Sequence, residues 1–466
     1  MACVSPRNHL DFAPYCKDID YTEFFIDVCA RYTHDQCEKF LHFLHEYKSL
    51  TKKFNKNFTK NNNFNAIKAF EATIKHNNFQ IFYDFIDKIT NKSKKNEHFK
   101  FIEFNLSHDE IWRYIIDTYK QKKYAMCYCL LVTLNNTITS QHYYIGNENK
   151  INIGNILVLM LLYNEDKDID NTSELLQLIY EDIQYMYKTN SEHRFCMCDF
   201  HTQSKSHTEY TNCKLHDFLQ YIFLIICRVC YDLCREKYLC KMNRMKQFLD
   251  FAYDNNIIIN MDRKITYLPI DSFSHIDDKQ KSDICPFDVA CYCTLNFAEI
   301  LYNYSKRINN VKALINNLNE CLYFTFESQN MNIVKLVIEI YQQCEYDINL
   351  FAEYNAIYNL VKCDVHFVID FLKFMKTKNV FISDTESMLD LIIEQNQKKD
   401  MLQLFHYYLL YCEDNKLNVD LTNCVKGLKF YFSLNDENIE LIFDAKSTLK
   451  EYISAKYPNI CAEIFS

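Results

Sequence analysis

The sequence predicts an all-α protein, a solenoid of stacked helix pairs, on three observations. The 466 residues include only three glycines (Gly146, Gly154 and Gly427) and five prolines. A β-rich fold turning at close intervals needs many more positions tolerant of positive φ. The chain is 48% apolar and 15% aromatic, enough to build a core and too much for general disorder. An apolar pattern also returns at a nearly fixed spacing, the signature of a repeat architecture.

Taken in order, residues 19–50 give an amphipathic pair around Phe24, Phe25, Val28, Phe40, Phe43 and Leu44 that suits a capping segment. The stretch AFEATIKHNNFQIFYDFIDKI at 69–89 reads as helix, Asn turn, helix, and IIDTYKQKKYAMCYCLLVTL at 115–134 reads the same way. Between them NKSKKNEHFK at 91–100 is a solvated basic loop. Gly146 and Gly154, among Asn and Glu, mark 140–155 as a loop. A stretch rich in Ser, Thr, His and Asn at 190–215 marks the domain boundary. The expected division is a helical region at 1–190 with degenerate repeats, a Cys/His-rich linker at 191–216 and a repeat array at 217–466.

That linker holds the one metal candidate. Cys196, Cys198, His201, His207, Cys213 and His216 fall within 21 residues, and thiolates with imidazoles are the donors that tetrahedral zinc takes. Cys213 and His216 form a C-x-x-H pair, and Cys196, Cys198 and His201 a C-x-C-x-x-H run for the opposing corners. The competing account is a polar loop in a chain that carries 22 cysteines. Any zinc here is structural, since no neighbouring residue is placed as a general base, and no other cofactor is expected. Downstream, Cys227, Cys230 and Cys234 fall at i, i+3 and i+7 on one helix face with Phe223, the pattern of core packing.

The repeat is clearest after residue 240. Phe297, Ile333, Phe367 and Met401 occupy equivalent places in TLNFAEILYN, NMNIVKLVIE, DVHFVIDFLK and KKDMLQLFHY, at spacings of 36, 34 and 34. A poorer fifth copy puts Asn438 there, 37 residues on. A second helical stretch precedes each anchor: PFDVACYC, NECLYFTFES, YNAIYNLVK and SMLDLIIEQ. A pair of short helices cannot bury its own apolar face, so the stripe must recur once per unit. Asn330 and Asp364 stand between the paired helices, where they are expected to take the left-handed turn that glycine usually makes.

NMNIVKLVIE followed by YDINL resembles the second helix and exit of an ankyrin repeat. CPFDVAC at 285–291 resembles the T-P-L-H-x-A opening of that family, with Pro286 and Ala290 in place, and MKQFLDFAYDNNIIIN at 245–260 resembles a further second helix and turn. The likeness covers about 240–445. Most units lack the T-P-L-H start and all lack the inter-helix glycine, which argues against β-hairpin fingers. Such eroded pairs are similar to the ankyrin-related multigene families of large DNA viruses, African swine fever virus among them. The resemblance implies a non-enzymatic scaffold in the host cytoplasm that binds host signalling or degradation machinery and modulates innate defence or host range.

Chemistry-bearing motifs agree with a non-enzyme. Three glycines build no P-loop and no G-x-G-x-x-G turn, and no G-x-S-x-G or H-E-x-x-H pattern occurs. The net charge of −9 disfavours nucleic acid as the main partner. No apolar run follows Met1, and the longest, YIFLIIC at 221–227, is too short to span a bilayer, so an intracellular protein with reduced cysteines is expected. With 35 tyrosines and 36 phenylalanines, most aromatics belong to the core and a few tyrosines to an exposed repeat surface, where they serve as protein-binding anchors. The competing functions are a structural component of a virion or nucleocapsid and a zinc-stabilised nucleic-acid-associated factor.

Overall fold

The computed structural model describes residues 21–33, 35–37, 66–90, 104–134, 151, 153–163, 168–189, 215–235, 242, 244–263, 265, 284–315, 318–345, 354–378, 385–394, 401–433 and 440–465. Every regular element among them is helical: the protein is all-α. The described residues form two compact units, one ending at Phe218 and one starting at Leu219.

The first unit contains α1 (Tyr21–Arg31), α2 (Ala66–Lys75), α3 (Phe79–Thr90), α4 (His108–Lys120), α5 (Tyr124–Leu134), α6 (Ile153–Leu162) and α7 (Ile169–Lys188). Its core is built on two helices that are apolar nearly all round, α5 and α6, and such helices have no face to give to water. Every residue of α6 except Asn155 is buried. Gly154 therefore lies inside a core helix, which corrects the expected loop at its C-terminal end, residues 140–150 lying outside the described residues: its neighbours Ile153, Ile156, Leu157 and Val158 carry a hydrophobic run that outweighs one glycine's helix penalty of about 1 kcal/mol. Phe70 is the aromatic hub, stacked on Phe82 at 5.2 Å and meeting Tyr114 edge-on at 5.1 Å. The Asn78 side-chain amide donates to the Cys29 and Tyr32 carbonyls, both at 2.9 Å, and so caps the end of α1. Val28 is buried as expected, while Phe40, Phe43 and Leu44 lie outside the described residues, as does the basic stretch at 91–100.

The second unit runs from within α8 (Leu215–Arg235) through α9 (Met245–Asp254), α10 (Pro286–Cys293), α11 (Leu295–Arg307), α12 (Leu318–Ser328), α13 (Met331–Gln343), α14 (Tyr354–Lys362), α15 (Val365–Thr377), α16 (Thr385–Glu394), α17 (Met401–Asp414), α18 (Val425–Ser433), α19 (Glu440–Lys456) and α20 (Pro458–Phe465). Its packing follows one rule: each helix from α9 on lies against the next but one. Even-numbered helices from α10 to α20 make one row and odd-numbered helices from α9 to α19 the other, with α10 and α11, α12 and α13, α14 and α15, and α16 and α17 packed as pairs.

The predicted anchors sit where this rule needs them. Phe297, Ile333 and Phe367 are each the third residue of an odd helix and each is buried. Met401 opens α17, and Leu402 after it is buried like Ala298, Val334 and Val368. Asn438 lies outside the described residues. Three residues before each of the first three anchors stands the N-cap. The Thr294 hydroxyl accepts the Phe297 N–H at 3.2 Å, Asn330 accepts Asn332 N–H at 3.0 Å, and Asp364 accepts His366 N–H at 2.9 Å.

Asn330 and Asp364 are therefore not left-handed. Their φ values are −105° and −58°, because an N-cap must be extended to aim its side chain at the first free amides. The left-handed residue of the α12–α13 link is Gln329, at φ 48°, and its side-chain carbonyl accepts the Asp364 N–H of the next link at 3.2 Å. Asn77, Lys122, Asn256, Asn309, Glu345 and Lys416 also have positive φ, each just beyond a helix C-terminus. At Asn256, Asn309 and Lys416 the following N–H reaches back to Ala252, Ser305 and Cys412 carbonyls at 2.9 Å, the six-to-one bond of a Schellman ending. Glycine is the usual residue here; Asn takes the place at modest cost, and Lys, Gln or Glu at about 1–2 kcal/mol.

Of the described glycines, Gly427 in α18 serves packing. A Cβ there would stand 1.9 Å from Ile393 Cγ2 on α16. Gly427→Ala is expected to destabilise the protein by about 1–3 kcal/mol in urea unfolding through overpacking, with Ile393→Ala partly relieving it; a stabilising Gly427→Ala, as in an open helix, would contradict this contact. Conversely, Lys416→Gly and Glu345→Gly should each raise stability by about 0.5–1 kcal/mol by relieving left-handed strain, read as a higher urea midpoint. An unchanged or lower midpoint would show that these endings are not strained.

Candidate functional site

Alternate helices at the start of the second unit carry half-buried tyrosines: Tyr231 on α8, Tyr292 on α10, Tyr323 on α12 and Tyr358 on α14. Tyr231, Tyr292 and Phe324 close an aromatic triangle across three helices, with ring centroids 5.6, 6.0 and 6.3 Å apart. Tyr323 meets Phe324 edge-on at 5.1 Å. The Arg228 guanidinium lies 5.9 Å from the Tyr231 ring centre, and the Lys362 ammonium 3.9 Å from that of Tyr358, one helical turn away on α14. Burial pushes the Tyr292 hydroxyl up to about 12, helped by Tyr231 and Glu327, so it stays protonated and able to donate. Such residues present an apolar body and a polar tip, which suits a surface that meets protein.

Cysteines pack on the same helices. Cys227 and Cys230 are fully buried, and the Cys230 thiol contacts Met242 Sδ at 3.2 Å. Burial pushes the Cys227 thiol well above its ordinary value, the behaviour of a core residue and not of a nucleophile. The Cys293 thiol donates to the Cys230 carbonyl at 3.5 Å, and burial first and its neighbour Cys234 next push it well above its ordinary value. The predicted helix face of Cys227, Cys230 and Cys234 is thus core at its first two members and partly exposed at its third.

Of the zinc candidates, Cys196, Cys198, His201, His207 and Cys213 lie outside the described residues, and His216 falls in the first turn of α8. Among the described residues no group of three or more His, Cys, Asp or Glu side chains converges to hold a metal ion, and no helix is long and apolar enough to cross a membrane. Comparison with protein-family models, with curated proteins and with solved structures finds no match for this chain.

A second polar constellation, in the first unit, is invisible to spacing. Asp168, just before α7, is 3% exposed; it receives the Tyr163 hydroxyl on one carboxylate oxygen and lies 2.7 Å from His108 Nε2 with the other. The Trp112 ring meets Tyr163 edge-on at 5.4 Å. Ser107 and Glu110 form a capping box that fixes where α4 starts, and so where His108 points. The S-x-x-E signature is readable in the sequence; a partner 60 residues away is not. With both oxygens engaged, Asp168 ties α4 to the α6–α7 junction.

Burial pushes the Asp168 carboxyl up, and the Tyr163 and His108 hydrogen bonds outweigh that and hold it below its usual value. Its stabilisation is therefore complete above the unfolded pKa of about 3.9 and is lost as pH falls through the lower folded value. Asp168→Asn is expected to lose about 2–4 kcal/mol at pH 7 and to flatten the acid limb of a stability profile below about pH 4. An unchanged unfolding midpoint at pH 7 would contradict the tie.

Proposed function

We propose that this chain is a non-enzymatic protein-interaction scaffold whose working surface is the tyrosine face of α8, α10, α12 and α14. The observation that carries it is that each of four alternate helices presents a half-buried tyrosine, Tyr231, Tyr292, Tyr323 and Tyr358, partly stacked across helix boundaries. A face built this way holds large amphipathic side chains in fixed rotamers before any partner arrives, so little conformational entropy is lost on binding. Helix-pair repeats stacked as a solenoid commonly use such extended surfaces to occupy a partner sterically. The likeness of 240–445 to eroded ankyrin pairs of large DNA viruses supports a host partner in signalling or degradation, a cytoplasmic place of action and an effect on innate defence. Fold-level analogy alone supports that step.

The test is affinity capture of the tagged protein from the native host cell with quantitative mass spectrometry, run beside Tyr323→Ala/Tyr358→Ala. Host signalling or ubiquitin-pathway proteins should be enriched with the parent chain and fall at least about tenfold with the double variant, the loss of more than 1 kcal/mol expected of anchor residues. Capture that is indifferent to the tyrosines, or recovery of abundant particle proteins alone, would overturn the proposal; the latter result would favour an assembly component.

A further inference from the structure

Two pairs of neighbouring thiols lie in the first helices of the second unit, and they differ in access. Cys291 and Cys321 bring their sulfurs to 3.9 Å, and both residues are fully buried. Cys234, near the end of α8, neighbours Cys293, the last residue of α10, closely enough to act on its thiol, and both keep partial exposure. The Cys293 thiol is also held at 3.5 Å from the Cys230 carbonyl, one turn before Cys234, so its sulfur rests against the last turn of α8. The adjoining Tyr231 and Tyr292 rings bring the same two helix ends together at 5.6 Å.

We propose that Cys234 and Cys293 form a site of reversible oxidation, closing to a disulfide that staples α8 to α10. The oxidant class is a low-molecular-weight disulfide, RSSR. The Cys234 thiolate attacks one sulfur of RSSR, forming a mixed disulfide and releasing RS⁻. Cys293 then gives up its proton and attacks the Cys234 sulfur, forming the intramolecular bond and releasing the second RS⁻. Two protein thiols are oxidised, one RSSR is reduced, and the two protons lost by the thiols end on two RSH. Burial pushes the Cys293 thiol well above its ordinary value, which assigns it the second, intramolecular step, where proximity offsets a small thiolate fraction. The buried Cys291 and Cys321 pair gives an external disulfide no approach. The staple constrains the long segment between residues 234 and 293 and so adds stability in the oxidised form.

Incubating the full chain with glutathione disulfide, alkylating the remaining thiols and mapping peptides without reduction tests the site. The expected result is a Cys234–Cys293 linked peptide, Cys291 and Cys321 found unlinked, and a higher thermal midpoint that reductant reverses. In Cys293→Ser the mixed disulfide should persist on Cys234. A first link between other cysteines, a mixed disulfide that stays on Cys234 in the parent chain, or a Cys234 that remains unmodified in Cys293→Ser would each overturn the proposal. None of these readouts involves a binding partner, so failure here leaves the tyrosine face to be judged by its own test.

Discussion

A helix of eight to seventeen residues, the span from α9 to α20, cannot shield its own apolar face, and the second unit is organised by that constraint. Each helix finishes its burial against the next but one, so Phe297, Ile333 and Phe367 do the same task in successive turns of the array. Each fully buried side chain contributes about 1.5–3 kcal/mol, and their recurrence, more than any single contact, holds the rows together. Polar ties then run along the odd row. Arg307 on α11 reaches Asp250 and Asp254 on α9 at 2.7 and 3.1 Å; Tyr302 donates to Gln343 on α13 at 2.7 Å; Lys376 on α15 meets Asp414 on α17 at 3.0 Å; Tyr452 on α19 donates to Glu413 on α17 at 2.9 Å. These are exposed and set register more than stability.

The same economy explains how so few glycines suffice. Helices must end sharply for the next one to turn back, and a left-handed residue with a Schellman bond does that in the least chain. Here Asn, Lys, Gln and Glu take the position, accepting local strain that the packed neighbours hold in place. Where a backbone must instead approach closely, at Gly427 against Ile393, glycine remains. Exit turns use side chains as well. Gln220 exchanges two hydrogen bonds with the Asn260 backbone, at 2.6 and 3.0 Å, and Tyr304 accepts the Ile259 N–H at 2.9 Å, where hairpin fingers would have paired strand with strand.

Much of this was legible in the sequence because periodicity reports burial directly. The anchor spacing, the helix before each anchor and the Asn turn at 77 follow from apolar pattern and turn chemistry. The left-handed turn expected at Asn330 and Asp364 fails because Asn and Asp are favoured both as left-handed residues and as N-caps, and spacing separates the two only by one position. The loop expected at Gly154 fails because composition marks a loop where a core helix with one glycine also fits. The Tyr231, Tyr292 and Phe324 triangle and the Asp168 tie depend on contacts between residues about 30 to 90 apart in sequence. No local pattern encodes such contacts, although the abundance of tyrosine pointed to a surface of this kind.

The most direct measurement is zero-length carbodiimide cross-linking of the intact protein with peptide mapping, since it joins amines to carboxylates only when they are in contact. The two-row account predicts amide links between Lys376 and Asp414 and between Lys456 and Glu413, each joining an odd helix to its neighbour in the row. Links from α15 straight to α19, or from α9 to α17, with neither predicted pair present, would contradict the next-but-one packing on which the rest of the structure depends.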